Sequence, residues 1–184
     1  MISRTKVLLL AAAGVFAVAC ADDDVPVSAP LLRLFTVALS PANEVPPVTG
    51  VTSTGESRIT VRTERNLSTG ALDTAAVLVE TLVSNIDSVT AAHIHAGASG
   101  VAGPVMVFLT PTYALVRGQR VARHLPDSST TINGTLSYVA ITRATAFSAP
   151  YTYDSLLARI NAGSAYVNVH TRRNAGGEIR GQIQ

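Results

Sequence analysis

The chain alternates apolar and polar positions in short runs separated by turn residues. Leu31 to Leu39 alternates loosely, and Glu56 to Thr63 alternates again with Ile59 and Val61 on one face, so both predict strands. Ala71 to Val83 is longer. Its Ala, Leu and Glu residues would also suit a helix, but Val77-Leu78-Val79 and the flanking turn signals favour a strand. Thr90 to Gly100 reads as a strand that exits at Gly97 and Gly100, and Val105 to Leu109 as an apolar, central strand. Asn133-Gly134 reads as a turn leading into a strand over Thr135 to Ile141. One helical pattern stands out, over Thr152 to Gly163. Thr152 or Asp154 can cap it, Leu156, Leu157 and Ile160 form its stripe, and Asn161 to Gly163 end it. The last twenty residues, Ala165 to Gln184, form two alternations around an Arg-Asn-Ala-Gly-Gly turn, which predicts a β-hairpin.

Between these runs lie three polar segments. Ser40 to Thr49 contains Pro46-Pro47 and predicts a surface loop or sheet edge, with Glu44 as its one charge, read as solvated. Glu64 to Gly70 is a polar turn, and Pro111 to Pro126 is irregular, with Arg117, Arg120, Arg123 and an exposed His124.

The first thirty residues read differently. Arg4 and Lys6 precede an apolar and small-residue run, Val7 to Ala19, that is too short to span a bilayer and reads as a secretory signal. The chain's single cysteine, Cys20, follows at once. The Ala-Val-Ala-Cys ending resembles the lipobox of bacterial lipoproteins, with Ala17 where that pattern prefers Leu. The resemblance implies a signal peptide over 1–19 and acylation of Cys20, whose several acyl tails would give a stable anchor. Residues 20–30, with Asp22 to Asp24, Pro26 and Pro30, read as a flexible tether. Ala21 in place of Asp would, by the sorting rule of enteric bacteria, permit transfer to the outer membrane. The expected location is the cell envelope, on its periplasmic or extracellular face.

Charge changes the picture little. The formal +2 includes Arg4 and Lys6. Without them twelve arginines face twelve acids, so nucleic-acid binding has no electrostatic support. Serine nucleophile motifs, phosphate-cradling glycine loops and paired cysteines are absent.

Strand alternation collects the candidate chemistry. His93 and His95 lie two apart and share a face, opposite Ala92 and Ile94. In the hairpin Tyr166, Asn168 and His170 share a face opposite Val167 and Val169, and Glu178 and Arg180 point away from Ile179. Two readings of the histidines follow. In one, His93, His95 and His170 supply nitrogen ligands to copper or zinc, about 2.0 Å from the ion. In the other they form a polar ladder bonded to Asn168, Thr171, Glu178 or backbone. Glu178 and Arg180 read as a structural ion pair rather than a substrate guide, and Glu44 could reach Arg180 or a histidine.

Three blocks in order carry a family resemblance. They are Leu39-Ser-Pro-Ala-Asn-Glu-Val-Pro-Pro-Val48, Ala92-His-Ile-His-Ala-Gly97, and Tyr166-Val-Asn-Val-His-Thr171 with Gly177-Glu-Ile-Arg-Gly-Gln-Ile183. Together they resemble the CHRD domain, named from chordin and found in many bacterial secreted proteins, over roughly Leu34 to Gln184. Ala175 stands where that family usually has Pro. A second similarity, to copper/zinc superoxide dismutases, rests on His93-Ile94-His95, Val169-His170, Asn174-Ala175-Gly176 and Gly181-Gln182-Ile183. The three histidines match that family's copper ligands. Its zinc-loop histidines and disulfide cysteine have no counterpart here.

These observations lead to one all-β domain over 31–184. Its expected architecture is a Greek-key antiparallel β-sandwich, superoxide-dismutase-like or immunoglobulin-like, with one short helix before the C-terminal hairpin. The leading expectation for function is a cell-envelope lipoprotein with a non-catalytic binding or structural domain. Its partners would be the membrane, through the lipid, and an envelope protein or ligand. The alternative is a copper- or zinc-binding protein using the three histidines, with redox activity as a further option.

Overall fold

A computed structural model describes residues 30–66, 68–110, 113–116, 119–122 and 130–184. The strands form two four-stranded antiparallel sheets packed face to face. Sheet A has the order β1 (Leu31–Leu39), β2 (Thr54–Arg65), β3 (Leu72–Asp87), β8 (Thr131–Ile141). Sheet B has the order β10 (Ile179–Gln182), β9 (Ala165–Thr171), β4 (Val89–Ala96), β5 (Val105–Thr110). The chain crosses between sheets after β3, between β5 and β8, and again through helix α1 (Tyr153–Asn161). This is the all-β sandwich with one short helix that the pattern predicts.

Side chains alternate across each strand, so one face of each sheet supplies the core. In sheet A the rows Phe35–Ile59–Val79–Val139 and Val61–Val77–Ile141 run across the strands by register. In sheet B Ala92, Ile94, Val167, Val169 and Ile179 do the same, all fully buried. Leu156 and Ile160 of α1 close one side of this core. The helix begins in a capping box: Ser155 N donates to Thr152 Oγ1 and Thr152 N donates to Ser155 Oγ. It ends before Gly163, whose φ of +61° turns the chain back toward β9.

The structure departs from the sequence reading in several places. β3 continues four residues past Val83 to Asp87, and β2 runs on to Arg65. β5 lies at the edge of sheet B among the described residues, not at its centre. Its apolar residues are covered on one face by the core, while Phe108 is half exposed on the other. The segment read as irregular contains an antiparallel hairpin, β6 (Tyr113–Val116) and β7 (Gln119–Ala122). Asn133-Gly134 does not turn the chain. It lies inside β8 where the register with β3 shifts, and Asn133 Oδ1 accepts from the backbone of Asn85, itself at φ +54°. The Pro-rich segment makes a 3-10 turn at Pro41–Asn43, tied to β10 by a two-hydrogen-bond bridge between Ser40 and Arg180. Cys20 and the segment before it, read above as a secretory signal, and Arg117, Arg123 and His124, lie outside the described residues.

Candidate metal centre

The outer face of sheet B, opposite its core face, carries the polar residues. Across β4 and β9, His93 stands opposite Asn168, His95 opposite Tyr166, and Ala91 opposite His170. Across β9 and β10, Asn168 stands opposite Arg180. Directly opposed residues share a face. This register therefore gathers three imidazoles, an amide, a phenol and a guanidinium on one surface. The loops at 41–47 and 97–104 cover that surface, and each histidine is at least nine-tenths buried.

The three histidines meet. A ligand atom from each lies within 4.8 Å of the others, and the ring centroids are 4.8–5.5 Å apart. Two of the rings have fixed tautomers. His95 Nδ1 is 2.9 Å from the Gly103 carbonyl and His170 Nδ1 is 3.0 Å from the Ala175 carbonyl. A carbonyl oxygen only accepts, so each Nδ1 carries the proton and each Nε2 carries a lone pair. Those two Nε2 atoms face one another at 3.4 Å. His93 has neither ring nitrogen bonded, and both are buried. Its ring stands edge-on to Phe108 at 4.4 Å.

Burial pushes the His93 ring down to about 3, and His170 and His95 beside it add to the effect. His95 and His170 are also lowered, chiefly by burial, with their backbone hydrogen bonds opposing it. All three are neutral at pH 7, the form that can ligate a metal.

A second layer holds His95. Tyr166 stacks on it at 4.9 Å, nearly parallel, and the Arg180 guanidinium lies 3.4 Å from the centre of the Tyr166 ring. The Tyr166 hydroxyl accepts from Gly103 N and donates to Gly103 O, the same carbonyl that receives His95. Gly103 has no room for a side chain, since a Cβ there would lie 1.6 Å from Ala96 O. Arg180 also donates through Nη2 to the Ala98 and Val101 carbonyls, fixing the 97–104 loop over the sheet.

Glu44 and Glu178 behave differently from the sequence reading. Glu44 is not a solvated loop charge but 94% buried, because the turn at Pro41–Asn43 folds it onto β9. Its Oε2 accepts from Asn168 Nδ2 at 3.4 Å. Burial raises its carboxyl to about 7, against the opposing effects of Arg180 and of the Asn168 bond. Glu178 and Arg180 do not pair with each other. Glu178 Oε2 accepts instead from Thr171 Oγ1 at 2.7 Å and Asn174 Nδ2 at 2.8 Å, which holds the hairpin turn closed. Reading by alternation finds the shared face but misses Gly103 and the cover over Glu44. Both depend on loops, for which the sequence offers only a glycine before Pro104 and a pair of prolines as signals.

A cavity of about 740 Å³ opens beside this face, bounded by Thr36 to Ala38, Glu44, Arg180 and Gln184. None of the three histidines lines it.

Among families of known proteins, the model of the CHRD domain matches residues 35–183. The chain belongs to the CHRD family. No curated protein and no solved structure matches it, so the similarity to copper/zinc superoxide dismutases gains no further support.

Proposed function

We propose that this CHRD domain binds one copper or zinc ion through His93, His95 and His170, and serves as a non-catalytic module of the cell envelope. One observation carries the metal reading. His95 and His170 point unprotonated Nε2 atoms at each other across 3.4 Å, with their Nδ1 protons committed to backbone carbonyls. Two lone pairs at that distance repel, and burial opposes relieving them with an extra proton. A cation between them relieves both. Ligand nitrogens about 2.0–2.1 Å from a tetrahedral ion are about 3.4 Å apart, the spacing already present. Metal-bound histidines characteristically donate their other N–H to a carbonyl, as these two do.

His93, whose ligand nitrogen lies within 4.8 Å of the other two, completes the set by an approach of at most about 1.4 Å to the spacing a tetrahedral ion requires. Three neutral imidazoles suit copper and zinc over harder cations. The ion would supply a Lewis acid or, as copper, a one-electron couple. The chain supplies three fixed nitrogens and a cover that keeps bulk water off them. That cover favours retention over turnover. The envelope location and the lipid on Cys20 are supported by the apolar leader and the lipobox-like ending.

The test is metal analysis of full-length protein purified without a histidine tag. About one equivalent of copper or zinc is expected, and none in H93A/H95A/H170A. Metal no higher than in the variant, with unchanged melting, overturns the reading. Superoxide dismutation by copper-loaded protein would overturn the non-catalytic part. An unmodified N-terminal peptide in the membrane fraction, found by mass spectrometry, would remove the lipid anchor.

A further inference from the structure

Eight buried side-chain polar atoms lack a hydrogen-bond partner among the described residues, and four of them belong to one outer-face group: Glu44 Oε1, Asn168 Oδ1 and both nitrogens of His93. Buried polar atoms are rarely left this way, so each of the four calls for a partner. The metal reading above, on which this inference rests, uses one nitrogen of His93. The other must then carry the ring proton, and that N–H needs an acceptor. His95 and His170 have theirs in the Gly103 and Ala175 carbonyls. His93 has none.

Asn168 is the residue placed to supply one. It stands directly opposite His93 in the β4–β9 register, on the same face, and is itself buried. Its Oδ1 has two lone pairs and no donor. Glu44 determines which end of the amide is free: its Oε2 accepts from Nδ2, leaving Oδ1 available. Gly177 packs beneath both residues. A Cβ there would fall 2.5 Å from both Asn168 Oδ1 and Nδ2 and 2.7 Å from Glu44 Oε1, so only a glycine leaves the two side chains room to meet at this place.

We propose that Asn168, oriented by Glu44, receives the second ring N–H of His93 when the site is loaded, so that Glu44 and Asn168 set metal affinity without touching the ion. Both are positioning residues. No net proton transfer is involved, because His93 enters and remains neutral. A purely structural pair, clamping the 41–47 loop onto the sheet, would affect melting but leave affinity unchanged.

The experiment measures Zn²⁺ affinity of the full chain by competition with a chromophoric chelator, alongside apo-protein melting and the Cu²⁺ EPR spectrum. N168L keeps the volume and removes the acceptor, and should bind 10–100-fold more weakly, as loss of outer-shell partners does. E44A frees the amide to rotate and should weaken binding in the same direction. E44Q/N168D exchanges the two groups. The amide now on the loop can donate to the carboxylate now on β9, whose other oxygen can accept from His93. Affinity should then return to within about threefold of wild type. Wild-type affinity in N168L overturns the proposal. If N168L does not fold, wild-type affinity in E44A overturns it. A double variant as weak as N168L overturns it too. A wild type that takes up no metal removes both the proposed function and this inference, whereas a metal-binding wild type with unaffected variants removes the inference alone.

Discussion

Gly103 shows how one residue can govern the centre. Its carbonyl accepts from both His95 and Tyr166, its N–H donates to Tyr166, and its Cα lies against the Ala96 carbonyl. Gly103→Ala should cost about 2–3 kcal/mol in a urea titration, because backbone must shift to admit the methyl. Metal affinity should fall with it, as His95 loses its fixed tautomer. The imidazoles also set the acid response. Each has a folded-state pKa below its ordinary value, so the unfolded chain binds more protons as pH falls below 6.5. Stability is then lost with falling pH. Glu44 acts with the opposite sign between about 4.5 and about 7, since its proton is held more tightly in the folded state. Three groups outweigh one. The urea midpoint of metal-free protein should drop from pH 7 to pH 5, and H93A/H95A/H170A should flatten or invert that slope. The histidine face was legible because a period of two is rigid: given two strands, His93, His95 and His170 had only one side to choose. The burial of Glu44 was not legible, because it depends on a loop folding over a sheet, which no local pattern encodes.

Among the elements, α1 was read almost to its boundaries because each signal was local: a threonine cap, an apolar stripe and a terminal glycine. Removing the cap with Thr152→Ala should cost about 1 kcal/mol and lower the melting temperature by about 2–4 °C. Loss of several times that would mean the helix holds more of the core than Leu156 and Ile160 suggest. The strands were harder to place. Asn133-Gly134 is a turn signal only when the chain needs to reverse. Here β8 has a long partner in β3, and the pair is absorbed as an irregularity opposite Asn85. β5 reads as central because five consecutive apolar residues suggest burial on both faces. The second face is instead occupied in part by the His93 ring against Phe108. Apolar content was visible, but what covers it was not.

At the scale of the molecule, the proposed ligands come from strands far apart in sequence but adjacent in sheet B, with β4 and β9 forming its middle. An ion held by both would bind only the folded chain. At a hundredfold excess over its dissociation constant it should add about 2.7 kcal/mol to stability. Zinc should therefore raise the melting temperature of wild type and leave H93A/H95A/H170A unmoved, and slowed amide exchange should concentrate in β4 and β9. A melting temperature indifferent to zinc at that excess would show that the ion does not bridge the two strands. One further consequence follows from β9, whose seven residues are all buried, valines toward one layer and Tyr166, Asn168 and His170 toward the other. A chain that zipped up one residue out of step would drive an imidazole, an amide and a phenol into the greasy interior and push the valines outward. Such a copy would be both unstable and without the proposed ligand set, so on that proposal metal content would count the correctly assembled molecules in a preparation.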